Sequence, residues 1–209
     1  LHLCNKNMEN MDTNNNHGKA KDNLLLEVCM AAKYEGETLT RHHTPHQQTN
    51  NDSASQLCTV LARSFADIGD IVRGKDLYLG NKKKKQNETE REKLEQKLKE
   101  IFAKIHEGLS RTSTRGKKGQ KSAKEYYQDD NGGNYFQLRE DWWTANRATV
   151  WKAITCSDDL RNSSYFRNTC NDDGTSSRAN HKCRCKDKHG ENETNEVPTY
   201  FDYVPQYLR

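Results

Sequence analysis

The chain has 209 residues, 32% hydrophobic and 31% charged, with a net charge of +4 and a mean hydropathy of −1.19. So little apolar content supports one modest core, not two. No run approaches the roughly 20 apolar residues that span a bilayer, and the basic runs lack the interleaved aromatics expected of a nucleic-acid binder.

The longest apolar segments are residues 24–32 (LLLEVCMAA) and 67–72 (DIGDIV). There is no initiator methionine and no signal-peptide pattern. The opening LHLCNKNMENMD reads as the inside of a larger structure, so a fragment is expected. The seven cysteines are Cys4, Cys29, Cys58, Cys156, Cys170, Cys183 and Cys185. Many cysteines in a polar chain with a thin core point to an oxidised, extracellular setting. Their connectivity does not follow from spacing, and an odd count leaves one without a partner in the chain.

Residues 1–21 are Asn-rich and polar. Leu24, Leu25, Val28 and Ala32 predict a short helix carrying Cys29 and ending near Gly36. Residues 37–52 are expected to form a loop. His42, His43 and His46 within it have an HHxxH grouping, but a proline-interrupted loop without a placed carboxylate favours a solvated surface over a metal site.

A second helix is expected over about 54–72, with Ser53 and Gln56 at capping-box spacing. Leu57, Leu61, Phe65, Ile68 and Val72 share one face, Cys58 lies at its edge, and Asp67 and Asp70 flank it. Gly74 is placed to stop the helix. Residues 75–87 are a surface excursion containing Lys82, Lys83, Lys84 and Lys85. Thr89 and Glu92 open a third helix to about residue 109, with Leu94, Leu98, Ile101, Phe102, Ile105 and Leu109 facing inward. Residues 111–124 (RTSTRGKKGQKSAK) are a basic linker.

Residues 138–156 (LREDWWTANRATVWKAITC) carry all three tryptophans. At 100° per residue, Trp143, Val150 and Ile154 fall on one line with Arg147 among them. Trp151 lies at the edge, while Asp141, Lys152 and Thr155 point away. A guanidinium on an apolar face requires an anion, and Asp67 or Asp70 is the expected partner. After Cys156 apolar content falls until Val197. That long loop holds Cys170, Cys183 and Cys185, and disulfides would order it. The final VPTYFDYVPQYLR is extended at first, and residues 203–209 read as the start of another helix.

These blocks resemble one family. CTVLARSFADIGDIVRGKDLYLG, LREDWWTANRATVWKAITC and VPTYFDYVPQYLR are similar to the Duffy-binding-like alpha domain of the malaria parasite's erythrocyte membrane protein 1 family, and HLCNKNM and LLLEVCMAAKYEG fit its upstream part. The resemblance spans the chain. It implies a mainly α, disulfide-stabilised helical bundle with long irregular loops. Of three subdomains, residues from 1 to about 50 would end the first, with one short helix. Residues from about 51 to 209 would make most of the second, without its final helix, and the third would be absent. It implies a variant adhesin on the extracellular face of the infected erythrocyte membrane, part of a larger membrane-anchored protein. Its partners would be host cell-surface receptors, sulfated or blood-group glycans, and host antibodies. A structural spacer and antigenic decoy is the alternative reading.

Cys29 and Cys156 sit on helices able to pack together and are expected to pair. Cys58 then takes Cys185, Cys170 takes Cys183, and Cys4 bonds upstream of this chain. Zinc held by His181, Cys183, Cys185 and His189 is the rival reading, although a Cys-x-Cys gap is tighter than usual for structural zinc. Lys82, Lys83, Lys84 and Lys85, with Arg115, Lys117, Lys118 and Lys121, are candidate glycan-binding bases; the plainer reading is two solubilising loops. Sequons occur at Asn51, Asn87, Asn162 and Asn192. No nucleophile–base pair, phosphate loop or buried carboxylate pair is signalled, so neither catalysis nor a cofactor is expected. Trp143, Val150, Trp151, Ile154, Leu61, Phe65, Ile68, Arg147, Asp67 and Asp70 are expected to build the core.

Overall fold

The computed structural model describes residues 6–9, 19–50, 54–75, 90–109, 122–128, 132–171, 174 and 176–209, and the side chains of 6, 9, 44–50, 54 and 55 lie outside that set. Cys4, both basic runs, and the sequons at Asn51 and Asn87 also fall outside it. The order of elements is α1 (Lys6–Glu9), α2 (Ala20–Asn50), α3 (Ala54–Arg73), α4 (Glu90–Glu107), α5 (Ala123–Tyr126), α6 (Phe136–Ile154), β1 (Asn168–Cys170) and β2 (Ser177–Arg178). Short 3-10 turns follow α6 at Asp158–Leu160 and close the chain at Phe201–Tyr203 and Gln206–Leu208. The fold is mainly α, as the sequence implies.

Two compact units, each with its own buried apolar side chains, are present among these elements, where composition alone supported one modest core. One comprises Val28–Gly69 and Asn146–Arg209; the other comprises Lys6–Glu27 and Asp70–Ala145. Helices α2, α3 and α6 contribute residues to both.

In the first unit, Leu57, Leu61, Phe65 and Ile68 recur at three- and four-residue spacing on α3, and all are buried. Val150, Trp151 and Ile154 of α6 and Val28, Ala31 and Ala32 of α2 are buried too. Phe65 meets Trp151 edge-on, with ring centroids 5.2 Å apart and planes at 82°. That geometry sets the positive edge of one ring against the negative face of the other. Burying each of these large side chains contributes roughly 1.5–3 kcal/mol.

Helix α2 is 31 residues long and does not stop near Gly36; the loop expected over 37–52 is helical to Asn50. Gly36 has a different use. A Cβ placed there would overlap the carbonyl oxygen of Ile154. The missing side chain lets α2 lie against the end of α6, so this glycine marks a close approach rather than a cap. His42 and His43 therefore stand on a helix.

The second unit is built on Leu94, Leu98, Ile101, Phe102 and Ile105, the buried stripe of α4, with Leu138, Trp142 and Trp143 of α6. Helix α1 lies against α4. Two buried arginines sit over aromatic rings: Arg73 is 5.8 Å from the Trp143 centroid, and Arg139 is 5.3 Å from that of Phe102. Their charges are met by Asp70 and Glu140 for Arg73 and by Glu95 for Arg139. Helix α3 ends as expected at Gly74, whose φ of +70° suits glycine. The Lys75 and Gly74 amides donate back to the carbonyls of Asp70 and Ile71, closing a Schellman motif. Ser122 and Glu125 cap α5 reciprocally.

The closing segment is not the start of an α-helix. Pro205 interrupts it, and two 3-10 turns form on either side.

Candidate binding surface and the scaffold beneath it

The first unit centres on Arg147. Its Nε donates to Asp202 Oδ2 and its Nη2 to Asp202 Oδ1, both at 2.8 Å, and Nη2 also reaches the Thr199 carbonyl at 2.7 Å. The expected partners were Asp67 or Asp70, and the structure corrects this. Asp67 faces Arg209 at 3.7 Å, and Asp70 binds Arg73 at 3.0 Å. Asp202 wins because the 3-10 turn at Phe201–Tyr203 carries its carboxylate inward, where it is 2% exposed. The guanidinium also lies 5.7, 5.6 and 5.3 Å from the rings of Phe65, Tyr200 and Tyr203. It is thus a cation boxed by a bidentate carboxylate and aromatic faces.

The sulfurs are joined Cys58 to Cys183 and Cys170 to Cys185. This exchanges the expected partners of Cys58 and Cys170. Cys29 and Cys156, expected to pair, are free thiols. The short loop fixes the outcome. Lys182 and Cys183 both take positive φ, 49° and 54°, and the tight turn sends two sulfurs separated by one residue to different elements. The same bonds remove the zinc reading, since Cys183 and Cys185 no longer have thiolates to offer. Cys170, Cys185 and Glu196 group together, but the two sulfurs there form one disulfide.

Between those sulfurs stands Arg184. It donates to the carbonyls of Lys152 and Thr155, to Thr155 Oγ1 and to Glu193. The last turn of an α-helix leaves carbonyls without partners, and Arg184 satisfies two of them from across the fold. Trp151 Nε1 donates to the Cys183 carbonyl at 3.0 Å. Thr155, expected to point away, is instead buried under this clamp. The tripeptide Cys183–Arg184–Cys185 therefore ties the end of α6, helix α3 and strand β1 together. Strands β1 and β2 pair antiparallel beside it.

On the outside of this scaffold lies a cleft of about 480 Å³, lined by Lys33, Glu37 and Arg41 of α2 and by Cys156, Ser157, Asp158 and Asp159. Lys182 Nζ holds the Cys156 carbonyl and the Asp158 carboxylate, at 3.3 and 2.8 Å. Its hydrogen bond and charge keep Asp158 below the usual carboxylate range. Burial pushes the Cys29 thiol up to about 11. A cluster of exposed rings, Tyr200, Tyr203 and Tyr207, follows the Arg147 site.

Of the residues expected in the core, Trp143, Val150, Trp151, Ile154, Leu61, Phe65 and Ile68 are buried. Sequence reasoning missed Asp202, Thr199, Arg184 and the cleft. An aspartate inside the aromatic run YFDY signals a buried anion. A cation between two cysteines signals little without the fold.

The family model of the Duffy binding domain matches residues 1–209. Among solved structures, the chain is similar to the N-terminal NTS-DBL1-alpha and CIDR-gamma double domain of the PfEMP1 protein from the Plasmodium falciparum varO strain. The identity is 38% and the TM-score 0.70, over 99% of this chain and 25% of that one. It is also similar to the ICAM-1-binding PfEMP1 IT4var13 DBLbeta domain, at 30% identity and a TM-score of 0.65, over 99% of this chain and 39% of that one. The same DBLbeta domain bound to ICAM-1 gives a TM-score of 0.64. The chain thus spans between a quarter and two fifths of the length of these solved chains. No curated protein matches.

Proposed function

This chain belongs to the Duffy binding domain family, and we propose that it is a host-cell adhesion module of a variant surface antigen. It acts on the extracellular face of the infected erythrocyte membrane, within a larger membrane-anchored protein. It works by surface recognition without turnover, in rosetting or cytoadherence, and its exposed face is a target of host antibodies. The observation that carries this reading is the likeness, along 99% of the chain, to a PfEMP1 domain that binds ICAM-1.

The scaffold supports it. Two disulfides tie the late loop to α3 and to β1, and the boxed Arg147 ties α6 to the closing 3-10 turn; a surface held in this way loses less entropy on binding. We read residues up to about 50 as the end of the family's first subdomain and the rest as most of the second. Sulfated or blood-group glycans are further ligands under this reading, met by Lys82, Lys83, Lys84, Lys85, Arg115, Lys117, Lys118 and Lys121.

The test is binding of the full protein to immobilised ICAM-1, to heparin and to red cells. Saturable binding that is lost when this domain is deleted supports the adhesion module. Binding fully retained without it supports the spacer and decoy reading. Unchanged heparin retention after both basic runs are neutralised removes the glycan assignment at those positions.

A further inference from the structure

Four features make the cleft beside α2 unlike ordinary charged surface. Its two walls come from separate elements and differ in sign. On α2, Lys33, Glu37 and Arg41 follow one another at four-residue spacing, so they share a face, and two of the three are cations. The opposite wall, Cys156 to Asp159, offers Asp158 and Asp159. Its charges are also available. Lys33 is exposed and Glu37 half-buried, 3.8 Å apart, a pair that contributes little and re-forms easily with a ligand. Arg41 and Asp159 have no side-chain partner among the described residues.

Both walls are fixed. Gly36 seats α2 against the Ile154 carbonyl. The Ser157 hydroxyl accepts from the Asp159 amide, and Lys182 ties the Cys156 carbonyl to Asp158. The volume of about 480 Å³ falls within the roughly 300–1,000 Å³ typical of ligand sites.

From these features we propose that the cleft is a recognition site for a protein loop presenting an acidic and a basic side chain side by side. The acid meets Arg41 and Lys33; the base meets Asp159, while Asp158 is already held by Lys182 and Arg161. A polyanion such as a sulfated glycan is opposed by Glu37 and Asp159 in the same space, and a polycation by Lys33 and Arg41, so neither fits as well. That the loop belongs to a host protein rests on the adhesion reading above. The charge pattern of the ligand does not.

The free thiol of Cys156 lines the cleft and reports its occupancy. The experiment titrates the full chain with three probes: a short peptide with an Arg-Asp centre, a tetralysine peptide and a heparin hexasaccharide. It follows binding by calorimetry and alkylation of Cys156 by peptide mapping. The Arg-Asp peptide is expected to bind saturably and slow Cys156 alkylation. Arg41→Glu with Asp159→Ala should weaken it about tenfold or more, the loss of at least one charge-assisted pair, with the circular dichroism spectrum unchanged. Absence of peptide binding overturns the proposal. So does equal binding by the variant, or tighter cleft binding by the hexasaccharide. A parallel cell-adhesion assay separates the two readings. If wild-type protein and variant adhere equally, the cleft assignment falls and the adhesion module stands. If wild-type protein does not adhere, the adhesion reading falls, and the peptide titration still decides the cleft.

Discussion

Arg147 and Asp202 meet through two parallel hydrogen bonds of 2.8 Å, linking the middle of α6 to a 3-10 turn 55 residues later. The Asp202 carboxylate is fully enclosed, while the arginine keeps a thin exposed edge. Removing one member of such a pair leaves a buried charge without compensation. Arg147→Met should therefore destabilise the protein by about 3–5 kcal/mol, measured by urea unfolding. Pairing it with Asp202→Leu should recover much of that loss. A single variant with unchanged stability would show that the pair is not a structural strut.

The disulfides make a second prediction. Cys58 and Cys183 are 125 residues apart; Cys170 and Cys185 are 15 apart. In the chain-entropy view, the longer loop contributes about 5 kcal/mol and the shorter about 3 kcal/mol. Replacing Cys58 and Cys183 with alanine should thus lower stability more than replacing Cys170 and Cys185. Peptide mapping without reductant should recover these two bonds. A Cys58–Cys185 fragment would contradict the structure.

How much of this was readable from sequence depends on the range of the interaction. Helices α3 and α4 were legible because their apolar residues recur at helical spacing and because Gly74 and the capping residues act locally. The burial of Trp143 and Trp151 followed from three indoles in a polar chain. The partner of Arg147 was not legible, since Asp67, Asp70 and Asp202 are equally plausible anions until the chain's return path is known. Gly36 misled for a related reason. A glycine after an apolar run looks like a helix stop, but here the absent Cβ admits Ile154 from another helix. The disulfide exchange turned on a local turn at Lys182 and Cys183 that spacing does not reveal.

Gly36 can be tested directly. Alanine there improves intrinsic helix propensity by about 1 kcal/mol, yet its methyl group would collide with the Ile154 backbone. Overpacking of this kind costs about 1–3 kcal/mol or more. Gly36→Ala should lower the melting temperature, and a rise would argue that α2 and the end of α6 do not approach so closely.

Tyr127 provides a pH signature. Burial, followed by its hydrogen bond to Asp141 and that residue's charge, pushes the phenol from 10.0 up to about 12. A group whose folded value is raised adds stability below its unfolded value and loses it as pH climbs through the folded one. The contribution should be complete below pH 10 and gone by about pH 12. Burial also raises the Tyr165 phenol, so titration at 295 nm should show a late-ionising fraction to which Tyr127 contributes, and Tyr127→Phe should shrink that fraction by one tyrosine. A normal titration would mean that the Tyr127–Asp141 contact does not form in solution.

We propose that this surface, held by the α6 scaffold, adheres to host cells. The most direct measurement is adhesion of intact protein-bearing cells to a host-cell monolayer under flow, with and without Fab fragments raised against this chain. Saturating Fab should abolish adhesion while leaving surface display unchanged. Full adhesion at saturating Fab, with binding intact, would contradict this proposal and place the adhesive surface elsewhere in the larger protein.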